Sequence, residues 1–526
     1  MTIRENNLHV TNTLTRRREK FEPVALRPTQ GDPENGRGVA PPHVGMYVCG
    51  PTVYGDAHLG HAKSYISFDV IVRYLRYLGY DVTYVQNITD VGHLTDDADA
   101  GEDKVEKAAR AKKVHPMQIA EQFTRRYFED MDALNVLRPD ISPRASGHII
   151  EQIEHTKRLL ERGHAYEANG SVYFDVASWP AYGRLSGRSV EEMQAGARVE
   201  VSARAASRVG EKRHPADFAL WKRAEPGHVM QWPSPWGMGY PGWHIECTVM
   251  GQKYLGETLD IHGGGIENVF PHHEDEIAQA EAATGKPFVR YWLHNNMVTV
   301  AGKKMGKSLG NFLTLRDAFA KWPPMVIRLF ILQSHYRSPT DFSEKALDAA
   351  QDGYERLVGA VRKLNAWGIM IAPSDPENLG QGATTKSATW SRPDAATVEK
   401  VRTLTSCFRE AMDDDFNTAE ALGTLFDLAR EVNQMQVKPL PAWGTLNLLL
   451  SAFKEMAEEV LGLILYKTAD ATGMTTLRRV VQSRIDEREE ARKAKDFATA
   501  DAIRDRLAEA GVLVEDTPDG TTWRLG

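Results

Sequence analysis

The sequence is poor in cysteine and has no long apolar run. Its 526 residues include only Cys49, Cys247 and Cys407, too few and too widely spaced for a disulfide framework, so a reducing compartment is indicated. No apolar stretch approaches the roughly 20 residues that span a bilayer, and the start of the chain, MTIREN, lacks the apolar core of a secretory signal. We expect a cytoplasmic protein that does not enter a membrane, with Cys407 as a small core residue on an apolar helix face.

The chain also lacks an excess of basic residues. Its 64 Lys and Arg are outnumbered by 71 Asp and Glu, which gives a net charge of −7 at pH 7. Proteins that bind nucleic acid through general electrostatic attraction are usually basic, so composition does not indicate that class. Local basic patches and shape can still recognise RNA. The 42% of hydrophobic residues is typical of a globular protein.

Two strand–helix–strand patterns predict a parallel sheet. The first pattern has a strand at 46–49, a helix from about Ala62 and a strand at 81–88; the second repeats this order over 258–293. Units of this length imply parallel strands. The shorter, turn-rich pattern between the two units predicts an insertion.

The predicted fold class is α/β, with a Rossmann-like parallel-sheet domain that carries an insertion, then a helical bundle and a small mixed α/β module. Two stretches, 372–393 and 468–475, are predicted linkers. The predicted boundaries are 1–140 and 231–295 for the two halves of the Rossmann-like domain, 141–230 for the connective insertion, 296–342 for a lysine-loop region, 343–467 for the bundle and 476–526 for the C-terminal module.

A pair of histidines lies where a nucleotide would bind such a sheet. His58 and His61 stand at a predicted helix start just after the first strand, with Gly60 between them. Ligands of open parallel sheets bind beyond the carboxyl ends of the strands, beside helix N-termini. Residues three apart share a helix face, so both rings can reach phosphate oxygens. Taken alone, the pattern is more often two surface or capping histidines.

A lysine-rich segment, KKMGKSLGN at 303–311, predicts a flexible loop far downstream. Lys304 and Lys307 can neutralise the charge that develops on a leaving pyrophosphate. Without a second motif, such a loop is usually a solvated turn.

Cysteine, histidine and glutamate residues form a possible metal shell. Cys49 ends the first strand, and Cys247 lies near a predicted helix start. His272 and Glu276 are four residues apart and project from one helix face. Two thiolates, an imidazole and a carboxylate suit zinc. His273, three residues from Glu276, competes with His272, and periodicity does not choose between them. The alternative is two buried cysteines beside a surface His–Glu pair.

Together the motifs resemble a known family. The sequences HLGH at 58–61 and KKMGKS at 303–308 are similar, in order and separation, to the HIGH and KMSKS signatures of class I aminoacyl-tRNA synthetases. Further segments resemble the cysteinyl-tRNA synthetase family: CGPTVY at 49–54, NITD at 87–90, DFALWK at 217–222, GWHIEC at 242–247 and FPHHEDEIA at 270–278. The resemblance runs from about Leu8 to the C-terminus. Gly306 and Glu267 depart from the family, which usually has serine and aspartate there.

The resemblance implies ATP-dependent activation of L-cysteine and its transfer to tRNA(Cys), with one Zn²⁺ per subunit, Mg²⁺ bound with ATP, and a monomer. Residues 296–342 would contact the tRNA stem, 343–467 would bind tRNA, and 476–526 would bind the anticodon. The implied roles are catalysis by His58, His61, Lys304 and Lys307, ATP binding by Thr52, His58, His61 and Lys307, substrate binding by Thr89 and Trp243, and zinc binding by Cys49, Cys247, His272 and Glu276.

Two other functions share part of these patterns. A cysteine ligase that passes the same adenylate to a small amine resembles the catalytic core, but such ligases look truncated after about residue 394. A non-catalytic RNA- or zinc-binding relative is disfavoured by the intact His58, His61, Lys304 and Lys307.

Overall fold

The computed structural model describes residues 4, 6–24, 41–94, 102–189, 211–304, 313–371, 393–435, 441–465, 468–509, 512–517 and 520–525. They fall into two compact units, Met1–Leu463 and Ile464–Gly526. Gly306, Lys307 and nearly all of the predicted linker 372–393 lie outside the described residues.

The secondary structure elements are numbered in chain order. The strands are β1 (His9–Asn12), β2 (Arg17–Lys20), β3 (His43–Val48), β4 (Asp81–Gln86), β5 (Ala165–Ala168), β6 (Ser171–Phe174), β7 (Phe218–Arg223), β8 (Trp232–Ser234), β9 (Gly237–Pro241), β10 (Leu259–Gly265), β11 (Val289–Asn295), β12 (Val298–Val300), β13 (Lys303–Lys304), β14 (Thr340–Phe342), β15 (Val512–Thr517) and β16 (Gly520–Leu525). The α-helices are α1 (Leu59–Leu78), α2 (Lys104–Lys112), α3 (Pro116–Ala133), α4 (Ile149–Glu161), α5 (Trp243–Leu255), α6 (His272–Thr284), α7 (Leu315–Phe319), α8 (Pro324–Leu332), α9 (Glu344–Ile371), α10 (Ala395–Asp413), α11 (Thr418–Gln434), α12 (Trp443–Phe453), α13 (Thr468–Lys493) and α14 (Phe497–Glu509).

A four-stranded parallel sheet of order β11-β10-β3-β4 lies at the centre of the first unit. Every residue of β10 is buried, as expected for a parallel strand that is covered on both faces. The first βαβ unit extends from β3 toward β4, and the second extends from β10 toward β11. The strand order therefore reverses between β3 and β10, which is where ligands of such sheets bind.

The helices beside this reversal come from regular apolar spacing and clear ends. Helix α1 buries an apolar stripe and ends at Gly79, whose φ of 98° is left-handed. It approaches β10 closely, because a Cβ added to Gly263 would lie 2.3 Å from Phe68 Cε1. Helices α5 and α6 share one apolar cluster with the sheet, which includes Tyr47, Val85, Met250, Ile277 and Trp292.

The insertion between the two βαβ units contains an antiparallel five-stranded sheet of order β5-β6-β7-β9-β8. Its strand β6 occupies Ser171–Phe174, and all four residues are buried. A three-stranded sheet, β13-β12-β14, follows the central sheet and carries Lys303 and Lys304.

Helices α8 to α12 follow, and a buried ion pair joins α8 to α1. Arg328 pairs with Asp69, and both side chains are fully buried. The Arg328 guanidinium also donates to the carbonyl oxygens of Leu134, Asn135 and Leu461 at 2.9, 3.1 and 2.8 Å. This network ties the helix of the first βαβ unit to the end of the helical region.

The second unit contains α13, α14 and the hairpin β15–β16. Trp523 packs there against a small core of Val481, Ile485, Leu507 and Val512. The predicted α/β domain with an insertion, the helical region and the small mixed unit are all present, so the fold class is confirmed.

Two sequence predictions were wrong. The predicted linker 468–475 forms the first turns of α13, because its Thr and Gly residues cost less than about 1 kcal/mol each in a helix. Cys407 is exposed rather than buried. The buried stripe of α10 runs through Val401, Leu404, Phe408 and Ala411, and Cys407 lies outside it. No described helix has the length and apolar character that a membrane crossing requires.

Candidate active site and metal centre

The predicted metal ligands gather beyond the carboxyl ends of β3 and β10. Cys49 directly follows β3, and its backbone N–H donates to the Gly263 carbonyl at 3.0 Å. Cys247 lies in α5, and His272 and Glu276 lie in the first turns of α6. The four side chains each bring one ligand atom to within 4.8 Å of the others.

The closest contacts in this group involve Glu276. His272 Nε2 lies 3.1 Å from Glu276 Oε1, and Cys49 Sγ lies 3.8 Å from the same oxygen and 3.8 Å from Cys247 Sγ. The exposed fraction is 9% for Cys49 and 1% or less for the other three. We call Cys49, Cys247, His272 and Glu276 the first ligand set.

A second ligand set shares two of these residues. Cys49, His262, His273 and Glu276 also converge within 4.8 Å. His273 Nε2 lies 3.1 Å from Cys49 Sγ, and His262 Nε2 lies 2.9 Å from Glu276 Oε2. Geometry thus presents His272 and His273 to the same centre. His262 was not predicted, although a polar residue in the apolar strand LDIHGGG was a usable signal.

Burial shifts these groups toward their neutral forms. It raises the pKa of the Cys49 thiol, and neighbouring Cys247 adds to that shift. It also raises the pKa of Glu276 and lowers those of His272 and His273. A bound dication would reverse this balance for the thiols and the carboxyl group by stabilising their anions, and it would bind imidazoles that burial already keeps neutral. Sulfur, nitrogen and carboxylate donors in one buried cluster fit zinc.

His272 and His273, the two histidines of α6, each have a hydrogen-bond partner at Nδ1, the ring nitrogen that does not face the cluster. His272 Nδ1 lies 2.9 Å from His244 Nδ1, and His244 Nε2 lies 3.3 Å from Asp275 Oδ2. His273 Nδ1 lies 2.8 Å from His294 Nε2. Such outer partners fix ring orientation at metal centres, and only the His272 chain ends on a carboxylate in the described structure.

His58 and His61 form the N-terminal cap of α1. His58 Nδ1 accepts from Gly60 N at 3.0 Å, and His61 Nδ1 accepts from His58 N at 3.2 Å. In each neutral ring the proton therefore resides on Nε2. A Cβ at residue 60 would lie 2.8 Å from His58 Cε1, so a larger residue there would displace the His58 ring from the cap.

The lysine motif is only partly described. Lys304 ends β13, where it pairs with Thr299, and Lys307 lies outside the described residues. The segment after the loop returns to the histidines, because Leu315 N donates to Ala57 O at 2.8 Å and Thr314 forms a β-bridge with His58. The described segment that follows the lysine motif therefore lies beside the histidine pair.

Thr89 and Trp243, the predicted substrate contacts, lie next to the metal cluster. The Thr89 hydroxyl donates to Glu246 Oε2 at 3.1 Å. The Trp243 ring stacks between His272 at 4.2 Å and His93 at 4.0 Å.

His93 also contacts Thr52, since its Nδ1 lies 2.5 Å from the Thr52 hydroxyl oxygen. Sequence reasoning missed Glu246 and His93, and no local pattern distinguishes His93. The departure Glu267 is exposed in the short turn Ile266–Val269, beside Gly265.

Comparison with known proteins places this arrangement in one family. Residues 37–352 match the model for the tRNA synthetases class I (C) catalytic domain, 407–466 match the DALR domain, and 481–524 match the cysteinyl-tRNA ligase anticodon binding domain. The cysteine–tRNA ligase of Chlorobaculum tepidum is 51% identical over 98% of this chain and 99% of its own. That of Thermus thermophilus is 48% identical, with the same shares covered.

Solved structures with low identity share the fold. Methionyl-tRNA synthetase of Mycobacterium tuberculosis, in complex with methionyl-adenylate, has a TM-score of 0.54 at 15% identity and covers 80% of this chain and 91% of its own. Because the catalytic-domain model matches more than half of the chain and full-length relatives are about half identical to it, the chain belongs to the cysteine–tRNA ligase family of class I aminoacyl-tRNA synthetases.

Proposed function

We propose that this enzyme is a cysteine–tRNA ligase, which activates L-cysteine with ATP to cysteinyl adenylate and transfers cysteine to the 3′ end of tRNA(Cys), with release of diphosphate and then AMP. One observation carries the proposal. The donor atoms of Cys49, Cys247, His272 and Glu276 converge at the strand-order reversal of the central parallel sheet, and the His272 ring stacks on Trp243.

The convergence of these donors supports zinc as the group that selects a thiol. Packing alone separates near-isosteric substrates such as cysteine and serine by only about 1–3 kcal/mol, whereas faithful translation needs on the order of 10⁴-fold, or roughly 5.5 kcal/mol. Zinc held by the first ligand set would supply a Lewis acid that favours the sulfur of cysteine, because a thiol loses its proton on coordination far more readily than an alcohol does.

The activation step needs no general base, because the attacking cysteine carboxylate is already an anion. It forms a bond to the α-phosphorus of ATP as the bond to diphosphate breaks. The residues act by positioning and by stabilising charge. His58 and His61 form hydrogen bonds from Nε2–H to phosphate oxygens. Lys304 and Lys307 neutralise the charge of the leaving diphosphate, and Mg²⁺ accompanies ATP.

The remaining regions are proposed to bind tRNA. The family models at 407–466 and 481–524 support the assignment of 343–467 to tRNA binding and of 476–526 to the anticodon. The stem contact of 296–342, the monomeric state and the cytoplasm remain predictions from the sequence.

The test is cysteine-dependent exchange of labelled pyrophosphate into ATP, followed by charging of tRNA(Cys). We expect exchange with cysteine, little exchange with serine, and loss of exchange after zinc is stripped. Full exchange in the metal-free protein would contradict the zinc role. Transfer to a small amine instead of tRNA would establish the ligase alternative, which the full-length relatives disfavour.

A further inference from the structure

His93 lies at the junction of the nucleotide and amino-acid sides of the candidate site. The residue is 9% exposed. Its Nδ1 lies 2.5 Å from Thr52 Oγ1, and its Nε2 lies 2.8 Å from Lys104 Nζ. The ring also stacks on Trp243 at 4.0 Å, with an angle of 9° between the two planes. His93 thus contacts both Thr52, which we expect to bind ATP, and Trp243, which we expect to bind the substrate cysteine.

The Lys104 contact determines which ring nitrogen of His93 carries the proton. A lysine ammonium has three N–H donors and no acceptor, so His93 Nε2 must accept from it. In the neutral ring the proton therefore resides on Nδ1, which donates to the Thr52 hydroxyl oxygen. This direction follows from the chemistry of the two partners and the observed distances.

The direction of that hydrogen bond determines what Thr52 can do. A hydroxyl has one proton and two lone pairs, so an oxygen that accepts from His93 retains its own proton to donate elsewhere. Within the described part of the chain, His93 is the only hydrogen-bond partner of the Thr52 side chain. Thr52 is partly exposed and lies three residues beyond Cys49, so its hydroxyl is suited to an anionic oxygen in the crevice.

We propose that His93 is a positioning residue for amino-acid activation: it orients the Thr52 hydroxyl as a donor to a phosphate oxygen of ATP and supports the Trp243 ring from the face opposite His272. This inference rests on the proposed function. His93 touches neither substrate itself. Its loss should change the affinity for ATP through Thr52 and the affinity for cysteine through Trp243.

Three single variants separate the two effects. The amide of asparagine occupies roughly the position of a histidine Nδ1, and that of glutamine roughly the position of Nε2. We therefore expect His93→Asn to keep the KM for ATP within about twofold, because an N–H still donates to Thr52, and to raise the KM for cysteine, because the ring over Trp243 is gone. His93→Gln and Thr52→Val should each raise the KM for ATP about tenfold, the size expected for one hydrogen bond to a charged group.

The double variant His93→Gln/Thr52→Val tests the coupling. If His93 acts through Thr52, the double variant has the same KM for ATP as Thr52→Val alone. The single variant Thr52→Ser keeps the hydroxyl and should have the same KM for ATP as the unsubstituted protein. The rates come from cysteine-dependent pyrophosphate exchange with ATP and cysteine varied separately. Thermal melting of each variant shows that the fold is intact.

His43→Gln is the matched control. His43 Nε2 lies 2.8 Å from the Thr83 hydroxyl, which reproduces the same pair of residue types at the start of β3 and β4. These amino-terminal ends of the strands lie at the opposite end of the sheet from the candidate site. The KM for ATP and the KM for cysteine should therefore both be unchanged.

Three results overturn parts of this reasoning. A double variant with about a hundredfold rise in the KM for ATP would mean that the two residues act independently, and equal ATP effects of His93→Asn and His93→Gln would mean that the Nδ1 donor is irrelevant. Either result refutes the His93 inference while exchange by the unsubstituted protein upholds the proposed function. Absence of exchange in the unsubstituted protein refutes both.

Discussion

The metal centre offers two ligand sets, and substitution can determine which one binds zinc. Both sets use Cys49 and Glu276. We expect the first set to bind zinc because it adds a second thiolate, Cys247, which soft metals favour. We also expect His272 to be the better imidazole, because its Nδ1 connects through His244 to the carboxylate of Asp275.

The expected losses of affinity differ in size between the sets. Zinc sites with four ligands bind with about 10–16 kcal/mol, so one ligand contributes about 3 kcal/mol, or on the order of a hundredfold. Cys247→Ser and His272→Gln should each weaken zinc binding by about that factor. Residues outside the coordination shell typically change affinity by about 10–100-fold. Since neither His262 nor His273 connects a ligand of the first set to a further carboxylate in the described structure, His262→Gln and His273→Gln should stay at the lower end of that range.

The assay is competition for zinc against a chromophoric chelator, with zinc content measured after dialysis. Cys49→Ser is the positive control, because Cys49 belongs to both sets, and Cys407→Ser is the negative control, because Cys407 is exposed and remote in sequence. Cysteine-dependent exchange should fall in the same order as zinc affinity. A His273→Gln variant that loses zinc as Cys49→Ser does, beside a His272→Gln variant that retains it, would refute the choice of the first set.

Other consequences of the structure can be tested by unfolding and by thiol chemistry. Arg328→Met should lower the unfolding free energy in urea by about 3–5 kcal/mol. It removes one of the two cations that pair with the buried Asp69, the other being Arg73 at 2.9 Å, and it removes the donor to three carbonyl oxygens. Arg138→Met, in a half-exposed pair, should cost under about 1 kcal/mol; equal effects would contradict this. Burial lowers the pKa of Lys63 to about 7, below about 10.4 in the unfolded chain. The unfolded chain then binds more protons than the folded protein, so the unfolding free energy rises with pH. From pH 7 to 9 we expect it to rise by about 2 kcal/mol more in the unsubstituted protein than in Lys63→Met. Parallel pH profiles of the two proteins would contradict the lowered pKa of Lys63. A disulfide reagent should modify Cys407 alone in the folded protein and three thiols in urea; rapid reaction of a second thiol without urea would contradict the buried centre.

The elements that sequence predicted well are those with a local signal. The strands of the central sheet were placed within a few residues of their positions, because apolar runs and helical spacing are contained in short windows. The antiparallel sheet of the insertion was largely missed. Its strands β6 and β7 lie more than forty residues apart, and no local pattern encodes that pairing.

The site shows the same division between local and distant signals. The spacing of His272 and His273 from Glu276 puts both on one face, because residues three and four apart are neighbours on a helix. The distinction between them comes from His244 and His294, which lie on other elements. His93 was missed for a related reason, since its contact with Thr52 joins residues 41 positions apart.

The strand-order reversal between β3 and β10 explains why the candidate amino-acid contacts and the candidate nucleotide contacts lie close together. The end of β3 supplies Cys49 and then Thr52, and β10 supplies His262. The chain beyond Thr52 continues into the histidine cap of α1. One loop therefore connects the candidate metal centre to His58 and His61, the proposed hydrogen-bond donors to phosphate. We expect a substrate whose sulfur is bound at this centre to place its carboxylate within reach of that loop. Thiol selection and adenylate formation are therefore expected to be coupled, and variants of the metal ligands should lower the rate of activation as well as cysteine affinity.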